Sequence, residues 1–460
     1  MPFFHWTPNW ARSRIPDALL AAQAISSGLL WVMLVPVWDG FDEAQHFSYV
    51  QSIRTGLPVL GRTLLTDEVW RSLRQSPVSA SVQANYPSLR TTGDANPSLP
   101  PNYEAHQAPL AYLMLSPLET LLVRAGTGIE LRLRLLRGLL LGCSMILFWR
   151  VSADRTALFL VLTTEMFFAC CGRASNDALA IPLFVWLFFE AEKRSRAGVW
   201  LLAAGLLTKA SFLAVTPVLV WRYRREWRWL LAAAALPSAW YLRNAWLYGN
   251  VSGMQEQLVP LPWRDLLIAA RDLPWRASLG ETYRGALWLG NNSFLQWSVW
   301  QVNFAMAVLL GATWWTTRGE RSRQFWLATF AGFHCAGVAY AAVQTFAYTH
   351  GVGVAASPWY ATQIWLLLIM VIFSSERTRW LSAAFAVTWT YWFIATFWLR
   401  LIPWYAGVMD GPAKAANVWR WYSAAFEQIR GQIGDPVLLL AILASVSAAA
   451  SCTAIIARRP

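Results

Sequence analysis

The chain has 460 residues, 56% of them hydrophobic and 14% charged, with a mean hydropathy of +0.36. Soluble domains carry about 25% charged residues, so an ordinary globular domain is excluded, and apolar runs of helical length recur from end to end. The net charge of +13 sits largely on arginines in short loops between those runs, as the positive-inside rule expects, and so implies no nucleic-acid partner.

The expected fold is all-α: a polytopic transmembrane helical bundle of about 11–13 spans, forming a single integral-membrane domain over residues 1–460. In chain order, Arg12 and Arg14 precede an apolar run over 18–38 with no small-residue cleavage site after it. This reads as an uncleaved anchor with a cytoplasmic N-terminus. Residues 39–106 form a first extracytoplasmic loop with short interfacial helices. It opens on Trp38-Asp39-Gly40-Phe41-Asp42-Glu43-Ala44-Gln45-His46, and a helical reading places Asp42 and His46 one turn apart on one face. Ionisable side chains at a membrane boundary are costly, which makes this cluster a functional-site candidate. A polar, Pro-rich stretch over 77–101 follows. The loop closes on Tyr103-Glu104-Ala105-His106-Gln107-Ala108-Pro109-Leu110-Ala111-Tyr112.

Further spans are expected near 107–124, 132–149, 156–172, 177–190, 198–221, 228–246, 298–317, 324–346, 358–374, 379–399 and 435–456. Arginine clusters at 222–228, 318–323, 377–379 and 458–459 mark the cytoplasmic side, which leaves 247–297 and 400–433 as further extracytoplasmic loops. Span 198–221 breaks the pattern, because Lys193, Arg194 and Arg196 argue that it also begins inside. Two short helices broken around Thr208-Lys209 would resolve the conflict, as a hairpin dipping toward the outer face. A lone mid-span lysine costs about 2.5–3.5 kcal/mol on insertion scales, which favours that break. A segment in 107–149 would then be non-crossing or re-entrant; ordinary crossings with an imperfect charge rule are the alternative. The five cysteines lie in apolar spans without metal-ligand spacing and read as small buried hydrophobes. There is no Gly-rich phosphate loop to hold a nucleotide donor.

An acidic pair after the first span, followed by His106-x-x-Pro109-Leu110-x-Tyr112, resembles the polyprenyl-phosphate-dependent glycosyltransferases of the GT-C superfamily, which include protein O-mannosyltransferases and the aminoarabinose transferase of lipid A. Arg134-Leu135-Leu136-Arg137-Gly138, Arg173-Ala174-Ser175-Asn176-Asp177, Gly205-Leu206-Leu207-Thr208-Lys209 and Trp240-Tyr241-Leu242-Arg243-Asn244 match that pattern in order. The likeness covers residues 18–250. It departs from the usual His-Pro-Pro-Leu-Tyr-Tyr at Gln107, Ala108 and Ala111, and Pro358-Trp359-Tyr360 stands where relatives carry Arg-Tyr.

The resemblance implies a hexosyl- or pentosyltransferase in the bacterial inner membrane, multi-pass, with its active site on the extracytoplasmic side. Its partners would be a polyprenyl-phosphate-linked sugar donor, a cell-envelope glycan, lipid or protein acceptor, and membrane lipids. Asp42, with Glu43 second, would deprotonate the acceptor. Lys209, Arg243 and Arg173 would bind the donor phosphate, and His46, His106, Tyr112 and Asp177 would line the substrate site. A divalent metal on Asp42, His46, His106 and Asp177 is an alternative use of the same groups. So is a structural one, with Asp42 and Glu43 complementing a helix dipole behind an Asp39 N-cap. Competing functions are a transporter or flippase of lipid-linked glycans, with Lys209, Arg243 and Asp177 lining a pathway, and a non-catalytic accessory subunit.

Overall fold

The computed structural model describes residues 17–40, 42–75, 99–152, 154–249, 251, 261–287, 298–406, 408 and 418–457. Expectations for Arg12, Arg14, Phe41, most of the Pro-rich stretch, parts of the loops 247–297 and 400–433, and Arg458 and Arg459 lie outside these residues. Among the described residues the fold is all-helical, with one isolated bridge between Leu64 and Pro101. Four helices are long and apolar enough to cross a membrane: Asp17–Leu34, Arg321–Tyr348, Ser382–Tyr405 and Asp435–Ile456. Arg196–Leu206 and Trp359–Phe373 are shorter apolar helices.

The first helix, α1 (Asp17–Leu34), pairs along its length with the last one, Asp435–Ile456. Small residues make that approach close: Ala441, Ala444, Ala448 and Ser451 recur at three- and four-residue intervals and are buried. Ser26 and Ser447 hydroxyls lie 3.2 Å apart across the seam. Beyond α1 the chain turns into α2 (Glu43–Ser52) and α3 (Asp67–Gln75), and later into a 3₁₀ turn, Tyr103–His106. Asn102 straps that turn to α2, donating from Nδ2 to the Gln45 carbonyl at 3.0 Å.

Helix α4 (Leu110–Arg124) belongs to the same layer. Tyr112 meets His46 of α2, and Glu119 accepts from Gln51 at 2.9 Å and from Arg132. Arg132 also pairs with Glu68 of α3. The segment 110–124 is therefore packed on α2 beyond the end of α1, as a non-crossing segment in 107–149 would be. Helix α5 (Ile129–Val151) then runs back along α1 in the opposite sense. Its Arg137 bonds the Val35 and Pro36 carbonyls, while Arg155, just beyond its other end, pairs with Asp17.

The expected span 156–172 is two short helices, α6 (Arg155–Val161) and α7 (Glu165–Cys171). At the interruption the Thr163 and Thr164 hydroxyls turn back onto the Phe159 and Leu160 carbonyls. Helix α8 (Asp177–Glu192) leads into the hairpin. Helix α9 (Arg196–Leu206) starts at Ser195, whose side chain accepts from the Ala197 amide, and stops where Lys209 adopts an extended backbone, φ −154°. A 3₁₀ turn, Ala210–Leu213, and helix α10 (Thr216–Arg222) bring the chain back. Tyr223 Oη donates to the Ser195 carbonyl at 2.9 Å, so the segment ends where it began. Gly205 lets the two arms touch, since a Cβ there would collide with the Phe212 ring.

Helix α11 (Trp227–Tyr248) follows. The expected loop 247–297 contains helices α12 (Trp263–Asp272) and α13 (Trp275–Gly285). Helices α14 (Val299–Thr317), α15 (Arg321–Tyr348), α16 (Trp359–Phe373), α17 (Ser382–Thr396), α18 (Ile402–Tyr405), α19 (Val418–Ile433) and α20 (Asp435–Ile456) complete the bundle. The arginine clusters gather at one end: Arg222 bonds the Ala191 and Glu192 carbonyls, Arg323 pairs with Glu192, and Arg377 reaches the Arg318 carbonyl. The carboxylate loop and the hairpin tip share the opposite end.

Candidate active site

Two adjacent acids open the site, and their backbones separate them. Asp42 is the N-cap of α2 but sits in the left-handed region, φ 54°, and its side chain makes no capping bond. An ordinary N-cap has an extended backbone and a side chain folded onto its helix. Asp42 instead turns outward, and its Oδ1 accepts from Tyr103 Oη at 2.6 Å. Its Oδ2 accepts no hydrogen bond among the described residues. The N-cap is thus Asp42 and not Asp39, while Glu43 does stand in the first turn of α2. The Asp42 carbonyl accepts from the His46 amide one turn on, but the left-handed backbone redirects the Asp42 side chain.

Glu43 is fully committed. Its Oε1 accepts from Arg137 Nε at 2.8 Å and from the Ala174 amide at 2.9 Å, its Oε2 accepts from Arg137 Nη2, and both side chains are wholly buried. This carboxylate tethers the loop to α5 and to the start of α8, with three of its acceptor sites taken by Arg137 and the Ala174 amide and the whole side chain buried. Gly40 completes the packing, with room for a Cβ only 3.0–3.2 Å from the Glu43 carboxyl group and Arg173 Cβ.

At the hairpin tip, the Lys209 ammonium and the Arg173 guanidinium share the Asp177 carboxylate, with Arg173 Nη2 donating to Oδ2 at 2.5 Å. All three side chains are buried. Two cations share one carboxylate at the tip, and the Asp42 charge acts on Arg173 as well. The Tyr360 ring lies 4.7 Å from the ammonium and the Trp359 ring 5.0 Å from the guanidinium. The departure at Pro358-Trp359-Tyr360 therefore falls directly on the cations. Asn176 holds the tip in place by donating to the Thr208 carbonyl at 3.0 Å, and the Leu110 amide donates to the Leu207 carbonyl at 2.9 Å.

His106 joins the two halves. Its Nδ1 donates to the Tyr103 carbonyl at 2.7 Å, which leaves Nε2 as an acceptor, and burial pulls its pKa down to about 4, so the ring is neutral near pH 7. Burial lowers His46 as well, aided by the Arg173 charge; its Nδ1 lies 2.7 Å from Tyr112 Oη, and Tyr112 stacks on Tyr49. Burial, and then the charge of Asp42, push Glu104 up to about 8.

Beside Lys209 opens a groove of about 310 Å³ between the hairpin tip and α15. Its lining is mainly apolar, with Leu213, Ala214, Val338 and Ala341, and it also includes His106, Lys209, His334 and Gln344. Asp42, Tyr103 and His106 are thus linked in one chain of contacts, Arg173, Asp177 and Lys209 in another, and His106 and Lys209 both line the groove. Arg243 is engaged elsewhere: Nη2 donates to the Pro58 carbonyl at 2.7 Å and the guanidinium covers Trp240, so it anchors the loop below α3.

Sequence reasoning gave no role to Arg137, Tyr103, Glu104 or Tyr360, although each lies inside a stretch already singled out. No group of three or more His, Cys, Asp or Glu among the described residues converges to hold a metal ion. Asp42, His46, His106 and Asp177 each face a different partner. No protein-family model matches this chain, and no curated protein or solved structure is significantly similar to it.

Proposed function

We propose that this protein is a polytopic integral-membrane glycosyltransferase that moves a sugar from a polyprenyl-phosphate donor to a cell-envelope acceptor on the extracytoplasmic face. The observation that carries this reading is one juxtaposition. A carboxylate turned out of its helix, Asp42, shares one end of the bundle with two buried cations and the mouth of an apolar groove. The groove suits an isoprenoid chain. Lys209 and Arg173 suit a phosphate, whose charge grows as it leaves and is best stabilised by fixed cations in a dry site.

In the proposed step Asp42 Oδ2 takes the proton of an acceptor hydroxyl as that oxygen attacks the anomeric carbon. The bond from the anomeric carbon to the phosphate oxygen breaks, and its electron pair leaves with the polyprenyl phosphate. One carboxylate suffices for such a displacement, which suits a site where Glu43 is already committed to Arg137. The test is transfer from labelled polyprenyl-phosphate sugars to envelope acceptors by the purified protein in lipid nanodiscs. Transfer by wild type that Asp42→Asn loses supports the reading. Movement of a lipid-linked glycan across vesicles with no new glycosidic bond would instead favour the flippase.

A further inference from the structure

We infer that Tyr103 is a positioning residue: its hydroxyl clamps one oxygen of the Asp42 carboxylate and thereby aims the other into the site. The inference rests on the transferase reading for its consequence but on geometry for its existence. Left-handed backbone is unfavourable for an L-residue and persists only where surrounding contacts hold it. Asp42 lies there without the helix-capping bond that would normally fix its side chain. The hydroxyl of Tyr103, at 2.6 Å, is the hydrogen bond that holds it.

Tyr103 is itself over-determined. Its carbonyl accepts from His106 Nδ1, and the neighbouring Glu104 amide donates to Asn102 Oδ1 at 3.0 Å. Asn102 in turn is bonded to α2, the helix that Asp42 begins. The clamp is therefore tied back to α2 through Asn102, and a carboxylate held at one oxygen presents the other in a narrow range of directions. A catalytic group displaced by about 1 Å loses on the order of 100-fold in rate, so fixing this side chain matters to turnover more than to binding.

The experiment compares wild type, Tyr103→Phe and a matched control, Tyr223→Phe. The control removes a buried tyrosine hydroxyl bond, to the Ser195 carbonyl, at the far end of the bundle. Transfer kinetics are read together with the rate at which a hydrophobic carbodiimide labels Asp42, followed by peptide mass spectrometry. Tyr103→Phe is expected to lower kcat about 10- to 100-fold, the range for one hydrogen bond to a charged group, with the donor KM unchanged. Carbodiimide should label Asp42 several-fold faster, and Tyr223→Phe should change neither quantity. Unchanged labelling overturns the clamp whatever the kinetics. Faster labelling with an unchanged kcat overturns the positioning role and leaves the transferase reading standing. Faster labelling in Tyr103→Phe, beside a wild-type protein that transfers no sugar, keeps the clamp and sinks the transferase reading.

Discussion

Asp42 and Glu43 are neighbours of nearly the same chemistry, and removing their charges is expected to have opposite consequences. Glu43→Gln leaves the guanidinium of Arg137 buried without its counter-charge and sets an amide N–H₂ against its N–H donors. Both side chains are 0% exposed, and the carboxylate accepts bonds from Nε, Nη2 and the Ala174 amide. Breaking such a buried pair costs about 3–5 kcal/mol, so the variant should unfold at a clearly lower temperature in detergent and be poorly recovered from membranes. Asp42→Asn keeps an oxygen for Tyr103, and asparagine tolerates the left-handed backbone. It should therefore lose clearly less stability than Glu43→Gln, yet lose about 100- to 10,000-fold in transfer as a missing general base would. Thermal unfolding and transfer assays on the two purified variants decide the matter. A Glu43→Gln protein as stable as wild type but inactive would move the chemistry to Glu43 and refute this division of labour.

Three other perturbations probe the surroundings. Lys209→Met leaves Asp177 paired with Arg173, so the fold should survive while the donor KM rises about 10- to 100-fold, as expected for one lost charge-assisted contact. Gly337→Ala sets a methyl 2.5 Å from Ala214 Cβ and should push α15 off the hairpin and weaken donor binding, with Ala214→Gly restoring it. For Glu104 the folded carboxyl keeps a proton that the unfolded chain releases, because its pKa rises from an ordinary 4.5 to about 8. Stability should thus fall as pH climbs through that window, and Glu104→Gln should flatten the slope in unfolding titrations.

Much of the arrangement was legible in the sequence because charge in an apolar environment has few places to go. A solitary lysine in an apolar run forced the break at Thr208-Lys209, and the structure puts the break and the turn there. The same argument left Asn176-Asp177 beside the tip, where Asn176 bonds the Thr208 carbonyl and Asp177 pairs with Lys209. Three things were hidden. The left-handed turn at Asp42 carries no glycine signal, so helical spacing wrongly aligned it with His46. Glu43 and Asp42 look alike in a string, and only the partner 94 residues away, Arg137, tells them apart. Arg243 resembles a phosphate ligand by motif, and its Nη2 also donates to the Pro58 carbonyl, a long-range contact that no local pattern announces, while Nη1 is buried with no hydrogen-bond partner among the described residues.

The central claim is that the groove beside Lys209 takes an isoprenoid chain with its phosphate against the buried cations. A photoreactive polyprenyl phosphate, cross-linked to the protein in nanodiscs and mapped by peptide mass spectrometry, tests it most directly. The expected result is labelling at Leu213, Val338 and Ala341, lost on competition with unlabelled polyprenyl phosphate and sharply reduced in Lys209→Met. Labelling spread over outward-facing side chains such as Leu236 and Leu242, indifferent to competitor and to Lys209, would contradict it.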